Sequence, residues 1–120
     1  MDDLNKKIMA LYFEDFLLVV FICLNILNMI GDSYERKFLR SNCNNYKNYA
    51  NRIFDFTLFV TIIIYFYFLL RNWKSYRDIS DDKKKLYGVK LFGSILVIVG
   101  IICLFYFQRK QSNFIGVPII

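Results

Sequence analysis

The sequence predicts an all-α integral membrane protein, with three transmembrane helices in a small bundle and one domain over residues 1–120. Apolar residues gather into three blocks, and nearly all of the charge lies between these blocks. Each block is apolar all round, whereas a helix on the surface of a soluble protein carries a single apolar stripe. Helix is the expected conformation because lipid offers no partner for unpaired backbone groups.

The first span is predicted over about residues 12–31. Its charge-free part, FLLVVFICLNILNMIG, has 16 residues, so flanking turns must extend it toward the roughly 20 that a bilayer needs. Asp2 or Asp3 can cap this helix, and Gly31 offers a left-handed stop. The leading MDDLNKK has no net positive charge and no small-residue cleavage site follows, which favours an uncleaved span over a signal peptide.

A short helix is predicted in the first loop, over about residues 33–40, because Asp32 to Glu35 has capping-box spacing. The following SNCNN is typical of a loop. The second span is predicted over about residues 53–71, around the 15 charge-free residues FTLFVTIIIYFYFLL.

A basic loop is predicted over residues 72–87. Within it, Ser80 followed by two acids is a good helix N-cap. The third helix is therefore expected to begin near Asp81 and to reach about Phe107, with its span over about residues 88–108. Its charge-free part, LFGSILVIVGIICLFYFQ, has 18 residues.

Charge at the ends of the spans bears on orientation and on lipid contacts. The side with the N-terminus and the second loop carries nine cations and the other side seven, which weakly favours a cytoplasmic N-terminus. Lys83, Lys84 and Lys85 could attract anionic lipid, at about 1 kcal/mol per cation. The alternative is an ordinary positive-inside anchor.

Four charged residues are expected at one membrane interface, because spans one and three run in the same direction and span two runs back. They are Glu14, Asp15, Arg71 and Lys90. Two acids opposite two cations suggest ion pairs between helices that fix the bundle. The alternative is that each side chain reaches separately into the headgroup layer.

Four polar residues are expected at membrane depth. Asn25 and Asn28 share one face of span one, and Thr57 and Thr61 share one face of span two. Depth places Asn28 near Thr57 and Asn25 near Thr61, which predicts hydrogen bonds that join the two helices. The alternative is a polar stripe that lines an ion path.

Small residues mark one face of span three. Gly93, Val97 and Gly100 recur at heptad-like spacing, which predicts a face where another helix can approach closely. That helix could belong to the same bundle or to a second copy in a dimer.

No catalytic residue, cofactor or metal ligand is predicted. The chain has no histidine, the commonest general base and metal ligand, and it has no C-x-x-C motif. Cys23 and Cys103 are expected to behave as small apolar side chains in the spans, and Cys43 is the candidate for a disulfide or acylation. Nucleic-acid binding is not expected, because no broad basic surface with aromatic platforms is present.

Three segments carry a resemblance: FLLRNWKSYRD at 68–78, LYGVKLFGSILVIVGIICLFYFQ at 86–108 and NFIGVPII at 113–120. Together they resemble small multi-span membrane proteins of the nucleocytoplasmic large DNA viruses, the giant viruses. The abundance of Ile, Phe, Tyr, Asn and Lys, which AT-rich codons encode, suits that origin. The resemblance implies a protein of the virion's internal membrane, with a part in membrane assembly or capsid attachment.

The expected function is therefore that of a non-enzymatic structural or assembly membrane protein, acting through lipid and protein contacts. Its protein partner would be a capsid or scaffold protein, or a second copy of the chain. The alternatives are a small pore-forming or transport protein of viroporin type, and an accessory subunit of a larger membrane complex. The apolar tail from Phe114 to Ile120 is too short to span and is expected to lie in the interface or dock on a partner.

Overall fold

The computed structural model describes residues 2–110 and 114–117. This part of the chain is helical, with α1 at Asp2–Ser41, α2 at Asn44–Asp78 and α3 at Asp81–Lys110. Each of the three helices is long and apolar enough to cross a membrane. The prediction of an all-α chain with three such helices is confirmed.

Helix α1 does not end at Gly31, and the prediction of a separate helix at 33–40 is wrong. The helix continues to Ser41, and the left-handed residue that ends it is Asn42, with φ 56°. The Asn42 amide donates to Phe38 O at 2.7 Å, and the Ser41 hydroxyl donates to Lys37 O at the same distance. Asparagine tolerates this conformation, so it can end a helix as glycine does.

Gly31 serves close packing instead. A Cβ atom at this position would lie 2.7 Å from Cε1 of Phe54 in α2. The Phe54 side chain is 1% exposed and has little room to move away. Glycine is therefore the residue that lets α1 approach the ring of Phe54.

The predicted basic loop over 72–87 is also wrong, because α2 and α3 are joined by only Ile79 and Ser80. The rest of that segment belongs to the ends of the two helices. The Lys83 amide donates to Ser80 O at 3.1 Å and so opens α3 near the predicted start. The Ser80 hydroxyl donates to Asp82 Oδ1 at 2.5 Å, and this bond lowers the pKa of the Asp82 carboxyl.

The three helices form an open layer and not the predicted bundle. Helix α2 lies in the middle and packs against both neighbours, while α1 and α3 do not pack against each other. The molecule measures 59 × 26 × 15 Å, so the layer is little thicker than one helix. Each two-residue connection holds a helix beside the next helix in the sequence. Helices α1 and α3 therefore lie on opposite sides of α2.

The two-residue connection at Asn42 and Cys43 sets the register of α1 against α2. Gly31 meets Phe54, and these two residues lie equally far from the connection along the chain. A small apolar core lies along the same seam, centred on three buried side chains: Leu17, Leu24 and Ile64.

Candidate functional site

The charge layer predicted near the N-terminal end is formed in part. Arg71 Nη1 lies 3.2 Å from Glu14 Oε2, and both side chains are 36% exposed. Asp15 and Lys90 are exposed and make no ion pair within the described part of the chain. Because the pair is partly exposed, its contribution to stability is modest, up to about 1 kcal/mol.

A groove of about 470 Å³ opens beside this ion pair, where α1 and α3 stand apart over α2. We call it the interhelix groove; five polar side chains line it, namely Glu14, Arg71, Asn72, Lys90 and Ser94. Asn72 donates to the Ser94 hydroxyl, which donates in turn to Lys90 O at 3.1 Å. Aromatic and small side chains complete the lining: Tyr65, Phe68, Gly93 and Val97.

Of the four polar residues predicted at membrane depth, one pair joins α1 to α2. Thr57 Oγ1 lies 2.8 Å from Asn28 Oδ1, and Thr57 is 2% exposed. The Thr57 hydroxyl also lies 3.1 Å from Phe54 O, so a single donor faces two acceptors. Asn28 and Thr57, which were predicted to lie at the same depth in the membrane, are therefore in contact.

The second predicted pair, Asn25 with Thr61, is not formed, and that prediction is wrong. The Thr61 hydroxyl donates to Thr57 O at 2.7 Å, within its own helix. Asn25 is exposed, because it lies about 60° further round the helix than Asn28, on the side away from the buried residues Leu24 and Gly31. The polar stripe predicted to line an ion path is therefore interrupted.

These two threonines offer a matched pair of variants. Thr57→Val removes the hydroxyl that bonds to Asn28 and is expected to lower the free energy of unfolding by about 1 kcal/mol. Thr61→Val removes only a bond within one helix, and we expect a change of less than about 0.5 kcal/mol. Unfolding in mixed micelles would measure both, and equal losses would show that the Thr57–Asn28 bond adds nothing.

The predicted close-packing face of α3 does not pack against α1 or α2. Cβ atoms built on Gly93 and Gly100 would meet nothing within 4 Å, and Val97 is 43% exposed. Within α3 the close approach occurs at Gly88, where an added Cβ would lie 3.3 Å from Tyr76 Cε2. The alternative of a dimer contact at this face stays a prediction.

A buried ion pair that the sequence analysis missed lies near the other end of the molecule. Lys47 Nζ is 2.5 Å from Glu35 Oε1, and the two residues are 6% and 2% exposed. Glu35 was interpreted as a capping residue, but it sits inside α1 and faces α2. The connection at 42–43 joins α1 and α2 in an antiparallel hairpin, and Glu35 and Lys47 lie only a few residues from it on either side. Their positions in the sequence could therefore have predicted that these two opposite charges lie at similar levels of the hairpin.

The C-terminal segment completes the surroundings of this pair. The Gly116 amide donates to Glu35 Oε2 at 2.5 Å, and Lys47 also donates to Phe114 O. Gly116 has φ 102°, a conformation that favours glycine. The Phe114 ring meets Phe107 of α3 edge-on, with centroids 5.1 Å apart. Residues 114–117 therefore dock on their own chain, while 118–120, which belong to the predicted interfacial tail, lie outside the described residues.

The other predicted positions are dispersed. Cys23 and Cys103 are exposed and Cys43 is half-buried, and all three are free thiols. Lys84 lies over the Tyr76 ring at 5.6 Å, and Lys83 and Lys85 are exposed. Within the described residues, no three His, Cys, Asp or Glu side chains are grouped to hold a metal ion.

Comparison of the chain with protein-family models, with curated proteins and with solved structures finds no match.

Proposed function

We propose that this protein is a non-enzymatic structural or assembly protein of a membrane, with all three helices inserted in the bilayer. Its partner-binding surface is the end of the α1–α2 hairpin, residues 32–52, together with the docked segment 114–117. We call this unit the α1–α2 head. The observation that carries the proposal is the buried Glu35–Lys47 pair, which fixes the head beyond the apolar part of the helices.

Insertion of the helices is supported by the placement of their apolar side chains. In the most apolar 18-residue windows of α1, α2 and α3, only 11%, 22% and 17% of the residues are buried. A soluble monomer rarely exposes apolar patches beyond a few hundred Å². Lipid is the environment that accepts an outward apolar surface along 18 residues of each of three helices.

Projection of the head is supported by helix length. The 40 residues of α1 extend about 60 Å at 1.5 Å per residue, and the molecule is 59 Å long. The hydrocarbon core of a bilayer is about 30 Å thick. Because Asp32 and the charges after it follow directly on the apolar block of α1, the head lies outside the hydrocarbon.

Charge on the head suggests the chemistry of its partner. Arg36, Lys37 and Arg40 are exposed on α1, whereas the acid nearest to them, Glu35, is buried against Lys47. Lys37 lies over the rings of Tyr34 and Tyr46, with centroid distances of 5.4 and 5.8 Å. A partner protein with an acidic surface would complement this face.

The place of action is part of the same proposal. The resemblance to giant-virus membrane proteins supports a virion or host membrane, where the partner would be a capsid or scaffold protein. The nine cations on the N-terminal side support a cytoplasmic N-terminus, with the head on the opposite side.

The proposal is tested by reversing charge on the head. Chemical crosslinking in intact membranes, followed by mass spectrometry, is expected to recover a partner bound at residues 32–52. Arg36→Glu with Arg40→Glu should reduce its recovery at least about tenfold, because like charges facing each other cost several kcal/mol.

The matched control reverses the same amount of charge at the other end of the molecule. Lys83→Glu with Lys85→Glu is expected to leave recovery of the partner unchanged. Equal losses in both double variants would point to a general charge effect. A monomer that diffuses freely and crosslinks to nothing at the head would contradict the assembly role.

Pore formation, the alternative function, receives less support. Asn28 and Thr57 bond to each other inside the α1–α2 seam and do not face an open path. Asn25 is the exposed member of the four, so a pore would need several copies with Asn25 turned toward a common axis.

A further inference from the structure

We propose that the interhelix groove binds one anionic phospholipid, with its phosphate at Lys90 and Arg71 and an acyl chain between α1 and α3. This inference rests on the proposed insertion of the helices in a bilayer, but it does not depend on the α1–α2 head or its partner. It also assigns a role to Gly93 and Val97 of the small-residue face of α3, which neither α1 nor α2 covers.

Space for a chain-like ligand comes from the open arrangement of the helices. Helices α1 and α3 each pack on α2 and not on each other, so α2 forms the floor of the groove. A Cβ on Gly93 would meet no atom within 4 Å, and Val97 is 43% exposed beside it. In a bilayer this apolar space would be filled by hydrocarbon.

The lining of the groove changes along its length as a phospholipid does. The charged end of the groove, with Glu14, Arg71 and Lys90, is the end nearest the helix connection at 79–80. Lys90 directly precedes the apolar block of α3. Phe68 and Val97 line the part that lies toward the middle of the helices. A headgroup at the charged end would thus direct its acyl chain over the apolar end.

The charge of the groove favours an anion. Glu14 is engaged with Arg71 at 3.2 Å, which leaves the charge of Lys90 without an acidic partner among the described residues. The three charged groups therefore carry a net single positive charge, which one phosphodiester would neutralise. A zwitterionic lipid would bring a further cationic group near Arg71 and Lys90, so an anionic lipid is expected to bind better.

This site differs from the lysine run that the sequence analysis connected with anionic lipid. Lys83 and Lys85 are exposed on the surface of α3, and neither lines the groove. If anionic lipid were attracted only by the surface charge of basic residues, Lys83 and Lys85 would contribute to its binding. A lipid bound in the groove would depend on Lys90 instead.

The test uses the purified full-length protein and native mass spectrometry, with phosphatidylglycerol or phosphatidylcholine added to the detergent. The protein is expected to retain one phosphatidylglycerol molecule and to retain less phosphatidylcholine. Lys90→Gln should lower the retention of phosphatidylglycerol about fivefold, the effect of one cation on binding to an anionic lipid. Lys85→Gln, the matched control, should leave retention unchanged.

A second variant tests the space independently of charge. Gly93→Leu places a side chain in the groove and should displace the lipid, while circular dichroism shows unchanged helix content. Equal retention of the two lipids would overturn the proposal, as would normal retention in both Lys90→Gln and Gly93→Leu. If Gly93→Leu instead converts a dimer to a monomer without changing lipid retention, the groove holds a second copy and not a lipid.

Failure of the lipid site can be separated from failure of membrane insertion. Protein that is washed from membranes at high pH would contradict the proposed function itself. Protein that resists this extraction but shows no preference for phosphatidylglycerol would contradict only the lipid site.

Discussion

Lys47→Met is expected to lower the free energy of unfolding by about 3–5 kcal/mol, because it leaves a buried carboxylate without its cation. The Glu35 side chain is 3% exposed, and Lys47 Nζ is the charged group that contacts it, at 2.5 Å. The bond from the Gly116 amide to Glu35 Oε2 would remain but cannot neutralise the charge. Equilibrium unfolding in mixed micelles, followed by circular dichroism, would measure the loss.

Two controls separate burial from charge. Glu35→Leu with Lys47→Met removes both charges and is expected to recover much of the stability, since an apolar pair often replaces a buried ion pair without loss. Arg77→Met breaks the Arg77–Asp78 pair, whose side chains are 65% and 62% exposed, and should cost less than about 1 kcal/mol. A loss in Lys47→Met no larger than that in Arg77→Met would show that the Glu35–Lys47 pair does not stabilise the head.

Gly31→Ala is expected to destabilise the chain by about 1–3 kcal/mol, although alanine is the better helix former. The added Cβ would lie 2.7 Å from Phe54 Cε1, and Phe54 is too well buried to give way. The variant should therefore push α1 away from α2 along the seam that carries Thr57 and Asn28. The same unfolding measurement applies.

Gly100→Ala is the matched control for this variant. Its Cβ would meet nothing within 4 Å, so it should be neutral or stabilise the helix by up to about 1 kcal/mol. Phe54→Leu in the Gly31→Ala background should relieve the clash, so that the two changes together cost less than the sum of the single changes. Strictly additive losses, or similar effects at Gly31 and Gly100, would contradict the role of Gly31 in close packing.

The contacts at Glu14–Arg71 and Thr57–Asn28 could be anticipated because antiparallel spans bring residues of equal depth together. Equal depth specifies a level along the helix but not a face. It therefore also predicts the pair of Asn25 with Thr61, although the rotation of α1 places Asn25 away from the seam. Lys90 reached the expected level as well, yet it faces the groove and not an acid.

The predicted break at Gly31 failed for a different reason. A glycine can end a helix or permit a close approach, and the two uses look alike in sequence. Only the Phe54 ring, which is distant in the chain, decides between them. The Glu35–Lys47 pair was not predicted because a first helix that ends at Gly31 places Glu35 in a separate short helix and not opposite α2. Its third partner, the Gly116 amide, comes from the C-terminal segment.

Three long helices with apolar surfaces suited to lipid can be predicted from the amino-acid sequence alone. Hydropathy and backbone hydrogen bonding are local properties, so each block carries the information for its own helix. The open layer of helices, the groove between α1 and α3 and the α1–α2 head with its buried ion pair are visible only in the folded molecule. Those features depend on register and rotation, which the two-residue connections and the packing of particular side chains impose on helices that would otherwise be free to slide and turn.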